Sequence, residues 1–405
     1  MYQYHTLANG IRIVFRQNAS AVTHSGVYIN IGSRDEQGAD EGMAHFIEHT
    51  LFKGTEHRKS HHILNRIDGV GGELNAFTTK EETCIYASSL NLHLERCLEL
   101  FADILFHSTF PEQEIAKERD VVLEEINSYK DYPAELIYDD FEELAFAGHP
   151  LAHNILGSKK NVRHFTSQAT RQFFRERYTT DRMVVAIVGN ADFRRVVRLC
   201  EKHFGHQPFT TATVVRTPAP QPRRFDTVVN KRTHQCHALI GCAAPNAYDE
   251  CKAAFTLLNN ILGGPAMNSR LNVAVRERHG FCYTIESQYT PFTDAGLFYL
   301  YAGIESEAKE RFREVVLREL RLLRDKPLTT LQLHAAQQQF IAQMAISNEQ
   351  ALNEMQSIGK ACMVYGHVDT LEEMAHDIES VSAPQMQALA AEYLSEDNLS
   401  YLFYL

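Results

Sequence analysis

Gln207-Pro-Phe-Thr-Thr-Ala-Thr-Val-Val-Arg-Thr-Pro-Ala-Pro-Gln-Pro222 divides this chain of 405 residues, and four of its twelve prolines fall there. Repeated proline removes backbone donors and favours extended structure, so residues 208–224 read as a stiff linker. An amphipathic helix, Phe193 to Phe204, precedes it. A fresh strand pattern follows it from Phe225.

Working outward from the linker exposes a repeat. The first side opens with strands Gly10 to Phe15 and Ser25 to Gly32, then a helix from Met43 to Phe52. The second opens with Phe225 to Val229 and His237 to Gly241, then a helix from Lys252 to Leu262. Leu64-Asn-Arg-Ile-Asp-Gly leads to strands at Glu73 to Thr79 and Glu82 to Ser88. Its counterpart, Leu271-Asn-Val-Ala-Val-Arg-Glu-Arg-His-Gly, leads to Cys282 to Tyr289 and Gly296 to Ala302. Long helices follow near 91–106 and 112–130, and again near 306–324 and 328–349. Each side closes on a helix and an apolar strand, Met183 to Val188 and Leu399 to Leu405. The pattern predicts an α+β fold of two tandem homologous domains, 1–207 and 225–405. Each is a mostly antiparallel sheet with helices packed on one face.

Composition narrows the function classes. Hydrophobic residues are 44% and charged residues 22%, as in a globular protein. The net charge of −11 argues against a duplex nucleic-acid partner, which needs a basic face. It serves solubility, or else a field that draws in basic ligands. No apolar run reaches the roughly 18 residues of a membrane span. Met1-Tyr-Gln-Tyr-His resembles neither a secretory signal nor a transit peptide. The eight scattered cysteines, with no CxxC pair, read as reduced and mostly buried thiols. A cytoplasmic protein without membrane or nucleic-acid partners is the expectation.

The first helix carries Gly42-Met-Ala-His45-Phe-Ile-Glu48-His49-Thr-Leu-Phe52. At 3.6 residues per turn, His45 and His49 stack on one face and Glu48 shares it. Met43, Phe46, Ile47 and Thr50 point into a core. Two imidazoles at i and i+4 grip Zn²⁺, and the neighbouring carboxylate reaches a water; this is the inverted His-x-x-Glu-His order of zinc peptidases. A third protein ligand is still needed. The acidic helix Glu112-Gln-Glu-Ile-Ala-Lys-Glu118-Arg-Asp-Val-Val-Leu-Glu124-Glu125-Ile-Asn supplies candidates, with Ile115, Val122 and Ile126 as its buried stripe. Spacing alone leaves Glu118, Glu124 and Glu125 open. His57, His61, His62, His93, His107, His149, His153 and His164 have no ligand-like spacing to the motif and read as surface or loop residues.

Together with Leu51-Phe-Lys-Gly-Thr55, Gly72-Glu-Leu-Asn75-Ala76-Phe-Thr78 and Glu118-Arg-Asp-Val-Val-Leu-Glu-Glu125, the motif helix resembles the pitrilysin family. That group includes insulin-degrading enzyme and the mitochondrial processing peptidases. The resemblance covers nearly the whole chain and fits the short, two-domain branch. It implies that Glu125 is the third zinc ligand and that Glu118 supports the ligands from behind. It also implies that Asn75 and Ala76 lie on an edge strand that pairs with substrate backbone. The second half has no zinc ligands in Lys252-Ala-Ala-Phe-Thr-Leu-Leu-Asn-Asn. Its Arg276-Glu-Arg-His-Gly280-Phe-Cys-Tyr283 matches the family's Arg…Gly-x-x-Tyr pattern, whose Arg and Tyr serve the active site. Pro265, in Gly263-Gly-Pro-Ala-Met-Asn-Ser-Arg270-Leu271, departs mildly from a usually glycine-rich segment.

The implied function is a zinc metalloendopeptidase with one Zn²⁺ per chain, cleaving unfolded or presequence-like peptides in a homodimer-enclosed chamber. Glu48 is then the general base, and Arg276 and Tyr283 contact substrate. Two other readings remain: a non-catalytic scaffold subunit of the same family, and a catalytic subunit needing a non-identical partner.

Overall fold

The computed structural model describes residues 1–212 and 215–405; Thr213 and Val214, within the expected linker, lie outside the described residues. The chain forms two compact units. Unit 1 comprises Met1–Asn127, His153–Thr217 and Ile346–Thr370; unit 2 comprises Ser128–Ala152, Pro218–Ala345 and Leu371–Leu405.

Unit 1 holds a six-stranded sheet built from β1 (Tyr2–Thr6), β2 (Arg12–Gln17), β3 (Val22–Ile29), β4 (Glu73–Thr78), β5 (Thr83–Leu90) and β6 (Met183–Gly189). Its order is β1-β2-β6-β3-β5-β4, and only the β2–β6 pair is parallel. Unit 2 holds β7 (Asp226–Val229), β8 (Cys236–Ala243), β9 (Cys282–Pro291), β10 (Gly296–Ile304) and β11 (Ser400–Tyr404). Their order is β7-β11-β8-β10-β9, again with one parallel pair, β7–β11. The second sheet repeats the first strand for strand; β1, absent from the expected pattern, is the extra edge. The α+β class and the duplication stand.

Helix coverage differs from the expectation. In unit 1, Ile13, Phe15, Val27, Ile29, Val185 and Ile187 pack against helices Leu94–His107 and Phe193–Phe204. The opposite face (Val14, Tyr28, Val184, Ala186, Val188) is equally apolar, and helix Ala351–Tyr365 covers it with Met355, Ile358 and Cys362. Gly359 makes this approach possible: a Cβ there would sit 2.4 Å from the Tyr28 ring. Unit 2 mirrors the device. Ile137, Phe141 and Ala145 of helix Pro133–Ala145 pack on Leu239, Leu297, Tyr299 and Leu402. The Tyr299 hydroxyl donates to Glu142 Oε1 at 2.7 Å.

Each sheet is therefore covered on both faces, and one cover comes from beyond the linker in sequence. The compact units thus do not coincide with the linear division at 1–207 and 225–405. A strand such as β6, buried at all seven residues, needs apolar partners on both sides, and neither half of the sequence keeps both for itself. The linker is tied down as well. Arg216 grips the buried Asp35 carboxylate with two bonds of 2.9–3.0 Å, and the Arg223 N–H donates to Ala145 O at 2.8 Å. Six of the eight cysteines are buried.

Candidate metal centre

The motif helix runs Met43–Thr50. Gly42 precedes it at φ +97°, and a Cβ there would lie 2.8 Å from Leu156 O, so only glycine fits. Glycine offers no capping oxygen. Glu36, fully buried, takes that part: Gly42 N–H donates to Oε2 and Ala44 N–H to Oε1, each at 2.6 Å. Burial pushes the Glu36 carboxyl well above the carboxylate range, while these two bonds pull against the rise. Met43, Phe46, Ile47 and Thr50 are buried, which fixes the face carrying His45, Glu48 and His49.

The acidic helix, Glu112–Tyr129, lies across from that face with Ile115, Val122 and Ile126 buried as expected. His45 Nε2 is 3.7 Å and His49 Nε2 3.4 Å from the same Glu125 oxygen, Oε2. The two imidazoles meet edge-on at 4.6 Å between centroids. A tetrahedral zinc with bonds of about 2.0–2.1 Å has ligand atoms about 3.3–3.4 Å apart. These three side chains fit that ion. His45 Nδ1 is buried without a hydrogen-bond partner.

Behind the ring, His49 Nδ1 is 3.3 Å from Glu118 Oε2, and Lys53 Nζ is 2.5 Å from Glu118 Oε1. Glu118 thus occupies one nitrogen of His49 and turns the other toward Glu125. Glu124 is exposed and accepts from Asn127 at 3.3 Å, away from the group. In space, Glu125 lies beside both imidazoles, Glu118 lies beside Nδ1 of His49, and Glu124 lies beside neither.

Charge follows this geometry. Burial, then the neighbouring His49, pushes His45 down to about 4 despite Glu125. Burial also disfavours charge on His49, but hydrogen bonds to Glu118 and Glu125 outweigh it and raise the group to about 9. The His49 bond holds Glu125 low against its burial. Burial raises the Glu48 carboxyl, and the Thr78 hydroxyl nearby partly offsets the rise.

Thr78 ends β4, which among the described residues pairs only with β5, leaving β4 at a sheet edge beside the motif helix. Asn75 and Ala76 lie on it, opposite Tyr86 and Ile85. Arg276 and Tyr283 belong to unit 2. Arg276 sits on a π-helical turn, Asn272–Glu277, with its guanidinium 5.5 Å from the Tyr283 ring centroid. Tyr283 is 87% exposed, and both residues line a cavity of about 540 Å³ with Pro265 and Phe340.

Sequence reasoning missed Glu36 and Lys53. Lys53 continues the i, i+4 series of His45 and His49, a signal that was available. Glu36 carried none, since it caps a helix six residues ahead through a loop. One of the histidines read as surface or loop residues is a buried one: His149 lies in a loop but is shielded from solvent. His57 is exposed as expected, with its ring centroid 4.7 Å from that of His107.

The sequence pattern of insulinase (peptidase family M16) matches residues 12–159, and that of the peptidase M16 inactive domain matches residues 164–340. The chain belongs to peptidase family M16. Within that family it is 32% identical over 399 residues to YmxG of Bacillus subtilis, an uncharacterized zinc protease, covering 98% of this chain and 97% of that one. An uncharacterized zinc protease of Mycobacterium leprae is 33% identical over 402 residues, covering 96% and 89%. A protease from Helicobacter pylori superposes with a TM-score of 0.91 at 23% identity, over 100% of this chain and 99% of that one. An M16 inactive-domain structure from Pseudomonas fluorescens gives 0.92 at 20%, over 100% and 97%. These two likenesses concern the fold. M16 membership and the relatives' names support a zinc-linked peptidase role. Among the described residues, no helix is long and apolar enough to cross a membrane.

Proposed function

We propose that this M16 chain is a zinc metalloendopeptidase with one catalytic ion held by His45, His49 and Glu125. The carrying observation is the convergence of two Nε2 atoms on one Glu125 oxygen at 3.4 and 3.7 Å, near the edge length of a zinc tetrahedron. Bound zinc supplies Lewis-acid polarisation of a peptide carbonyl and makes a water molecule acidic near neutral pH.

The rest of the chemistry falls to the chain. Glu48 removes a proton from the attacking water and returns it to the leaving amine; burial, by raising its carboxyl, suits it to hold that proton. Glu118 orients His49 through Nδ1. Asn75 and Ala76, on the open edge of β4, bind extended peptide through main-chain hydrogen bonds, which favours unfolded substrates. Arg276 holds substrate backbone, and Tyr283 donates to the developing oxyanion. Because both sets of residues occur in one chain, self-pairing into a homodimer is the assembly proposed.

Glu48→Gln tests the assignment. It keeps stoichiometric zinc and loses most peptide hydrolysis, because only the base is removed. Loss of zinc together with activity would make Glu48 a ligand and the scheme wrong. For the assembly, heterodimers mixing Glu48→Gln with Arg276→Ala subunits regain partial activity. No recovery after verified subunit exchange counts against it.

A further inference from the structure

We propose that Glu56, His57 and His107 form a second divalent-metal site, for a borderline transition ion such as Zn²⁺, separate from the His45/His49/Glu125 group. One ligand atom from each lies within 4.8 Å of the other two. His107 Nδ1 and Glu56 Oε2 are 3.4 Å apart, the separation that a tetrahedral ion with bonds of about 2.0–2.1 Å requires. The rings of His57 and His107 meet edge-on at 4.7 Å and 72°.

Two features mark this as a built arrangement. The first is the backbone that brings the residues together. His107 is the last residue of its helix, and its carbonyl accepts from Glu56 N–H at 2.9 Å. Thr55 and Ser108 form a β-bridge beside it, and Thr109 N–H donates to Gly54 O at 3.1 Å. The loop after the motif helix is thus laced to the helix end, with Glu56, His57 and His107 at the seam.

The second feature is Asp103. This carboxylate is only 4% exposed and lies 2.6 Å from His57 Nδ1. Thr55 at 2.8 Å and Arg58 at 2.6 Å hold it in place. A buried carboxylate on one imidazole nitrogen fixes the tautomer and leaves Nε2 as a lone-pair donor, the usual support of a metal-binding histidine. Two imidazoles and one carboxylate select Zn²⁺ and its first-row neighbours over Mg²⁺ or Ca²⁺, which prefer all-oxygen shells. The ligands are more exposed than those of the proposed catalytic group, so the ion exchanges more readily. Its structural effect is to clamp the loop that leaves the motif helix.

The test counts metal by element analysis after equilibration with Zn²⁺ and gel filtration. The unsubstituted chain is expected to carry two equivalents, falling to one in His107→Gln and in Glu56→Gln. Glu56 is a surface residue whose substitution leaves the core untouched. In a His45→Ala/His49→Ala background one equivalent remains, raises the unfolding temperature, and disappears when His107→Gln is added. That background keeps this result apart from the catalytic reading. A single equivalent in the unsubstituted protein that vanishes with His45 and His49, or a second one indifferent to both Glu56 and His107, overturns the proposal.

Discussion

Replacing Glu118 by Gln probes how the proposed metal centre is held without touching one of its proposed ligands. The Glu118 carboxylate is 3.3 Å from His49 Nδ1 and 2.5 Å from Lys53 Nζ, with its side chain 8% exposed. Gln keeps the volume and one oxygen but loses the charge that balances Lys53 and strengthens His49 as a donor. Loss of such a carboxylate behind a ligating histidine weakens metal binding roughly 10–100-fold. That corresponds to about 1.4–2.8 kcal/mol at about 1.4 kcal/mol per tenfold. Competition against a chelating zinc indicator at fixed pH reads this directly. Glu125→Gln in the same assay is expected to weaken zinc far more, because an oxygen of the proposed ligand set is replaced. Equal affinities for Glu118→Gln and the unsubstituted protein would refute the supporting role. A larger loss at Glu118 than at Glu125 would exchange their assignments.

Four further outcomes follow from the structure. In the metal-free protein His49, raised to about 9, is protonated at pH 7, so zinc binding there releases about one proton; calorimetry in buffers of different ionisation enthalpy measures it, and no proton release contradicts the ring assignment. For metal-free stability, the raised His49 contributes fully below 6.5 and its contribution is lost as pH rises through about 9. Lowered to about 4, His45 loses its contribution as pH falls from 6.5 toward 4. Urea midpoints are thus expected to peak near 6.5, and a monotonic profile argues against this pair. Gly359→Ala drives a methyl into the Tyr28 ring and costs about 1–3 kcal/mol by overpacking, more than the helix-propensity gain of about 0.5–1 kcal/mol; an unchanged or raised unfolding midpoint would disprove the contact. Glu36→Gln leaves one of two buried N–H groups without an acceptor and lowers stability by about 1–3 kcal/mol, readable as a shifted denaturant midpoint.

Much of this was written locally in the chain. His45, Glu48 and His49 declare themselves because three side chains on one helix face need only helical periodicity to be read. The succession of strands and helices along the chain could be followed because the second half repeats the first. What stayed hidden was contact between distant stretches. Spacing along the acidic helix could not separate Glu118 from Glu125, since both occupy its inner face; the two sides of one imidazole distinguish them. His57 and His107 looked unrelated until a loop was laced to a helix end. The exchanged covering helices were foreshadowed by Met183-Val-Val-Ala-Ile-Val-Gly189, whose unbroken apolar run calls for cover above and below. Nothing in the run says where that cover originates.

The reciprocal helices bear on how the molecule is made. Arg12 Nη1 donates to Cys362 O at 2.8 Å, and Arg16 pairs with the buried Glu354, so β2 finishes its packing against a stretch lying 338–350 residues further along the chain. Until that stretch has folded back, Tyr28 and its neighbours lack their cover, and the incomplete product presents an apolar sheet face that favours aggregation. A chain truncated before residue 346 leaves the first sheet open to protease, whereas one with residues 346–370 free to fold protects it.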